Sequence, residues 1–247
     1  MRFLPTTIPG RPLLLLLALV AIGAISEAAQ ASGIRITGPS IYLELEGGAL
    51  PGMLGDGLEI FTADDLAFMQ AELAADGIDT AGRITMFLAN TEDGWSFVSL
   101  FDRNGTGGIG SNDSFLGFNS VTGIDANRHW NTDQGGNVNW WDLGNQSQLV
   151  DGTFEWESGV TSEGFAWGNL SEGMAGTATY VNMGLDQLAP SAMFQFLTWN
   201  GTKWDLALGA DFADGSDSFA LAFKVIPAPG AVALLCIAAV GSRRRRR

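Results

Sequence analysis

Between residues 32 and 226 apolar and polar positions alternate in short runs rich in aromatic and β-branched residues, broken by Gly, Asn, Asp and Ser. Alternation with a period of two predicts half-buried strands rather than helices. The clearest unit is a hairpin. Phe194-Gln195-Phe196-Leu197-Thr198-Trp199 faces Lys203-Trp204-Asp205-Leu206-Ala207-Leu208 across Asn200-Gly201-Thr202, and Asn-Gly supplies the left-handed backbone of a tight turn. Further strands are expected at Ile41–Leu45, Ile84–Leu88, Trp95–Phe101, Phe115–Phe118, Thr153–Trp156, Gly164–Trp167, Thr177–Val181 and Asp217–Val225. The last runs into the C-terminal tail, so it should emerge at the domain surface. Thr122 to Gln148, rich in Asn, Gly and Trp, is expected to be a long loop.

One segment keeps a helical period. Thr62 is a suitable N-cap, Asp64 and Asp65 favour the positive end of the helix dipole, and Gly77 is a stop. Leu66, Met69 and Leu73 share a face, expected to close an open sheet end as a lid. With no long-period repeat and no interior low-complexity linker, the expected fold is all-β: one β-sandwich or jelly-roll-like domain with one short helix.

At both ends the alternation gives way to unbroken apolar runs. Arg2 and Arg11, then Leu13 to Ile25, then Ala29-Gln30-Ala31 have the charged, apolar and small-x-small parts of a secretory signal over residues 1–31. The other end reads Val225-Ile226-Pro227-Ala228-Pro229-Gly230, an apolar run to Val240, Gly241-Ser242, and then Arg243, Arg244, Arg245, Arg246 and Arg247. The two prolines stiffen and expose the first part. The uncharged part would make a helix of about 20 Å, against a bilayer core of about 30 Å. Five arginines hold their end in the cytoplasm. A weak anchor with a strong stop suits a chain paused in the membrane and then cut on the outer side.

This Pro-x-Pro motif, apolar helix and terminal Arg cluster resemble the PEP-CTERM sorting domain, a tail also labelled ice-binding protein C-terminal, which is no sign of ice binding. The resemblance covers about the last 22 residues, with Ala228 in the place of the family's Glu. It implies export in a Gram-negative-type bacterium through the secretion machinery. It also implies recognition at Pro227, Ala228, Pro229 and Gly230 by an exosortase-type processing enzyme, and release to the cell surface or an extracellular polysaccharide matrix. The expected division is a signal peptide at 1–31, an extracellular β-rich domain at 32–224 and a sorting tail at 225–247.

Charge sharpens this. Of 13 basic residues two lie in the signal and five in the tail, while only Glu27 of 27 acidic residues lies outside the body. Six basic against 26 acidic groups leave the body near −20. That argues against nucleic acid, which needs clustered Lys and Arg. The one cysteine, Cys236, is in the tail, so the body has neither disulfides nor a thiol for catalysis.

Candidate chemistry in the body is sparse. His129 is the one histidine; Asp125, four residues earlier, could form a simple pair with it, and no G-x-S-x-G elbow accompanies it. One His without Cys excludes a zinc site of ordinary composition. Asp102 to Asp113 fits the twelve-residue calcium template, with Asp102, Asn104, Thr106 and Asp113 at places 1, 3, 5 and 12 and Gly107 at place 6. Asp211, Asp214 and Asp217 form a second, weaker candidate. The alternative for both is a solvated turn. Phe154/Trp156 and Phe165/Trp167 each share a sheet face, and their strands are expected to pair across Gly159–Gly164, mostly as core. Trp140 and Trp141 face opposite ways in a strand, which makes this pair the best candidate for sugar stacking. Carboxylates abound without an arrangement that singles out an acid/base pair.

The expected function is therefore a non-catalytic, structural cell-surface or extracellular-matrix protein, held transiently in the inner membrane by its C-terminal helix before release. The alternative is a carbohydrate-binding β-sandwich, aided by calcium if the loop fills; a secreted glycan-active enzyme ranks third.

Overall fold

The computed structural model describes residues 32–50, 61–102, 114–132, 136–156, 162–182, 193–211 and 217–227. They belong to one compact unit, Ser32–Pro229. The expected signal, the tail helix, the arginine cluster and Ala228-Pro229-Gly230 lie outside the described residues. No helix among the described residues is long and apolar enough to cross a membrane.

The described strands are β1 (Ser32–Gly38), β2 (Ile41–Glu46), β3 (Gly48–Ala49), β4 (Ile84–Thr91), β5 (Gly94–Asp102), β6 (Ser114–Gly123) and β7 (Asn127–Asn131). They continue as β8 (Asn137–Asp142), β9 (Ser147–Trp156), β10 (Ser162–Leu170), β11 (Ala175–Asn182), β12 (Phe194–Trp199), β13 (Trp204–Ala210) and β14 (Ser218–Pro227), with one helix, α1 (Ala63–Ala75). They form two seven-stranded sheets. The first has the order β2-β1-β14-β11-β6-β9-β8, the second β13-β12-β4-β5-β10-β7 with β3 also on β4. Every pairing is antiparallel except those of β12 and β3 with β4.

Alternation explains the layering. Along β14, Phe219, Leu221, Phe223 and Val225 are buried while Ser218, Ala220 and Lys224 are exposed. One core joins the inner faces of both sheets: Ile36, Phe118, Phe154, Tyr180 and Phe223 from the first meet Met86, Phe97, Phe101, Phe165 and Trp167 from the second. Rings interlock across the gap, as Phe101 with Phe154 (4.7 Å) and Phe118 with Phe165 (4.9 Å).

A second core lies on the other face of the second sheet. Phe87, Val98, Leu100, Ala166 and Trp204 there receive Leu66, Met69 and Leu73 of α1. The helix forms as expected, with a capping box in which Thr62 Oγ1 accepts from Asp65 N (3.2 Å) and Asp65 Oδ2 accepts from Thr62 N (2.8 Å). Gly77 follows at φ +85°. Its seat differs from the expectation. The helix covers the outer face of the second sheet, rather than an open sheet end, because that face is itself apolar and needs a cover.

Two further expectations are corrected. Thr122 to Gln148 is not one long loop, since it contains β7 and β8. The aromatic pairs at 154/156 and 165/167 do not sit on paired strands: β9 pairs with β6 and β8, whereas β10 pairs with β5 and β7. The chain changes sheets between them. Phe154, Phe165 and Trp167 are core, as expected of same-face aromatics.

Candidate functional site

Two places hold the residues that the sequence singles out. The first lies where β7 and β10 meet the β4–β5 turn. His129 stands opposite Ala166, hence on the outer face of the second sheet, and is fully buried. Its partner is Asp93, not Asp125: Nε2 lies 3.0 Å from Asp93 Oδ2, and Asn127 Nδ2 donates to Asp93 Oδ1 at 2.8 Å. Asp125 instead offers its backbone carbonyl to Asn169 Nδ2 (2.9 Å). The Asp93 carboxylate lies over Gly168, where a Cβ would overlap Oδ2. Asn169 follows in the left-handed region (φ +50°), its N–H donating to Asp93 O at 2.8 Å. Phe61 closes the other side, its ring 6.2 Å from the imidazole. A carboxylate so enclosed orients two donors and ties a turn to a strand. Asp93 sits 36 positions from His129, so only the observed strand order reveals the pair.

The second place is the edge of the first sheet. β8 is its last strand, and Trp140 and Trp141 are 40 % and 46 % exposed. As expected for neighbours in a strand, they point opposite ways. Trp140 is registered with Val150, a core residue, so it faces the gap between the sheets; Trp141 is registered with Leu149 and faces out. The Arg128 guanidinium of β7 stacks on Trp140, 3.3 Å from the ring centroid, and Arg128 Nη1 donates to Gln148 Oε1 at 3.0 Å. Arg128 and Trp140 thus bridge the open edge between the sheets. Ile124 and Leu143, 45 % and 44 % exposed, lie on the adjoining turns, joined to the same hairpin by Ile124 N to Gln146 O and Leu143 N to Ser147 O.

Of the calcium-template residues only Asp102 is described; Asn104, Thr106 and Asp113 lie outside. Asp102 is nearly buried, accepting from Thr80 Oγ1 at 2.6 Å and from Ser162 Oγ at 3.3 Å, with Gln70 Nε2 donating to Ser162 Oγ at 2.6 Å. Both carboxylate oxygens are therefore committed to hydroxyls that hold the end of β5 to its neighbours. Asp211 and Asp217 are exposed, and Asp214 lies outside the described residues. Among the described residues no group of three or more His, Cys, Asp or Glu is placed to hold a metal ion.

One feature had no local signal at all. Sequence offers no hint that Tyr180 is a buried phenol between the sheets, 2.9 Å from Ser99 Oγ. Burial pushes its pKa above the ordinary phenol value.

Comparison with protein-family models, with curated proteins and with solved structures gave no match to this chain.

Proposed function

We propose that the chain is an exported, non-catalytic structural protein of the cell surface or extracellular matrix. The signal is removed at residues 29–31, and an exosortase-type enzyme processes the tail at the Pro227-Ala228-Pro229-Gly230 motif. The observation that carries this reading is a register: Ser32, the first residue of β1, pairs with Pro227, the last of β14. Among the described residues the sheet begins directly after the small-x-small site and reaches the first proline of the motif. Cuts at both places would spare the ladder formed by the described residues. β14 also lies inside its sheet, held by β11 along Ser218–Lys224 and by β1 along Ala222–Pro227. The acidic balance of the body suits solubility outside the cell.

Mass spectrometry of the protein recovered outside the producing cell tests this reading. The expected product begins near Ser32, ends within Pro227–Gly230 and lacks Arg243 to Arg247. Recovery of the intact chain embedded in the inner membrane of cells with a working processing enzyme overturns it.

A second reading, that the body also binds carbohydrate, is favoured by one observation: both indoles of Trp140-Trp141 stand partly exposed on an edge strand.

A further inference from the structure

We infer that the outer face of the first sheet, from β8 across β9 and β6 to β11, binds an extended, uncharged polysaccharide, with Trp141 as the stacking platform. This rests on the carbohydrate-binding reading and specifies where and what kind of chain is bound.

Register places two unlike rows side by side on that face. One runs Trp141–Leu149–Val121–Thr177, each residue paired with the next across the strands. The neighbouring row runs Asn139–Asp151–Asn119–Thr179 on the same four strands. Three strand spacings make each row about 14 Å long, and the two lie about 7 Å apart along the strands. The first row is apolar except for its last hydroxyl; the second is made of amide, carboxylate and hydroxyl groups. Trp141, Asn139, Asp151 and Thr177 are exposed, and the other four are half-buried.

A sugar chain presents the same two surfaces. Its ring C–H groups are apolar and pack on an indole, while hydroxyls along its rim both donate and accept. The second row answers in kind, and Asn119 Nδ2 already aims at Asp151 Oδ1, 3.4 Å away. The apolar row is only one residue wide, which suits a thread better than a broad protein surface, where aromatic anchors sit in a desolvated centre. Trp140 is occupied by Arg128, which leaves Trp141 as the indole of the pair turned to this face.

Charge selects among polysaccharides. A body near −20 repels a polyanion, and on this face these four strands carry Asp151 and Glu155 but no Lys or Arg. The face's cations, Arg35 and Lys224, stand on β1 and β14, and Arg35 is taken up by Glu44 at 2.6 Å. The fitting ligand is therefore neutral.

Affinity electrophoresis of the full-length protein tests this, in native gels cast with hydroxyethyl cellulose, galactomannan or dextran, and with alginate as the polyanion. The wild type should be retarded in at least one neutral gel and run freely in alginate. Trp141→Ala should weaken that retardation about ten-fold, as loss of one stacking contact would, with Trp141→Phe intermediate. Leu206→Ala, which removes an exposed apolar side chain from β13 of the other sheet, should change nothing. Retardation that survives Trp141→Ala overturns the placement and leaves the carbohydrate reading standing. No retardation in any neutral gel, or retardation in alginate alone, overturns both. A wild-type dimer in sedimentation that Trp141→Ala dissolves, without retention by glycans, assigns the patch to self-association and also overturns the proposal.

Discussion

Trp167 Nε1 donates to Ser120 Oγ at 2.7 Å across the gap between the two sheets, and Ser120 Oγ in turn donates to the Thr177 carbonyl at 2.6 Å. An indole brings a donor into the core along with its apolar bulk, and that donor needs an acceptor. Ser120 supplies it from the facing sheet. The pair fixes how the two layers are offset, which apolar contacts alone leave soft.

Ser120→Ala should therefore cost more than its small volume suggests. It leaves the Trp167 N–H buried without an acceptor, a loss of about 1–3 kcal/mol. Trp167→Phe removes the donor as well as bulk and costs a similar amount or more. Combined, the two should cost less than their sum, because the orphaned donor is then gone. Urea denaturation of the three variants measures this; strict additivity would mean that the hydrogen bond contributes nothing.

The Asp93–His129 contact makes a different prediction. Asp93→Ala strips the acceptor from half-buried Asn127 Nδ2 and from fully buried His129 Nε2, and about 1–3 kcal/mol is expected for the latter. Gly168→Ala should act through the same contact, since its Cβ would take the space of Asp93 Oδ2. In an Asp93→Ala background the Gly168→Ala change should cost much less, with only the close approach to His129 Nε2 (3.1 Å) remaining. Equal cost in both backgrounds would show that the glycine serves something other than this carboxylate.

For α1 the prediction separates cap from seat. Thr62→Ala removes one half of the capping box and should cost about 1 kcal/mol. Leu73→Ala empties a fully buried position against the second sheet and should cost about 2–5 kcal/mol. Amide hydrogen exchange should then rise in β10, where Gly164 would place a Cβ 3.1 Å from Leu66, and stay unchanged in β14 of the other sheet. Faster exchange in both sheets would mean that helix and sandwich unfold as one unit.

How far the chain could be read in advance follows from what each signal measures. Period-two apolar runs such as Phe219 to Val225 announce strands because one of their faces is core. β7 conceals itself: its buried positions are His129 and Asn131, so polar residues occupy its buried places on the outer face of the second sheet. β8 has no buried position at all and gives no alternation to read. Helical period identified the Leu66–Met69–Leu73 face, but a face does not say what covers it; the seat depends on the outward apolar residues of β4 and β5. Nearness in sequence suggested that the strands of Phe154 and Phe165 pair, whereas the chain crosses between layers there. Trp140 and Trp141 point opposite ways because strand neighbours alternate whatever the fold. His129 and Asp93 meet through strand order alone, which no local pattern encodes.

The last prediction concerns alkaline stability. Tyr180 is buried among Phe101, Phe118 and Phe194, with Ser99 Oγ at 2.9 Å and Met86 Sδ at 3.2 Å around its hydroxyl. Burial disfavours the phenolate, so its pKa in the folded protein stands above the ordinary phenol value of about 10. Above that pH the unfolded chain releases a proton which the folded one keeps, so the unfolded state binds fewer protons and stability falls as pH rises. The stabilising effect is fully present below pH of about 10 and declines beyond it, by up to about 1.4 kcal/mol per pH unit for this one group. Tyr180→Phe should lose the Ser99 contact, be modestly less stable at neutral pH, and show a shallower decline between about pH 10 and 11. Urea midpoints across that range, with phenolate absorbance followed in parallel, measure both slopes. If the two proteins decline in parallel, Tyr180 ionises without unfolding and its enclosure between the sheets is looser than this geometry requires.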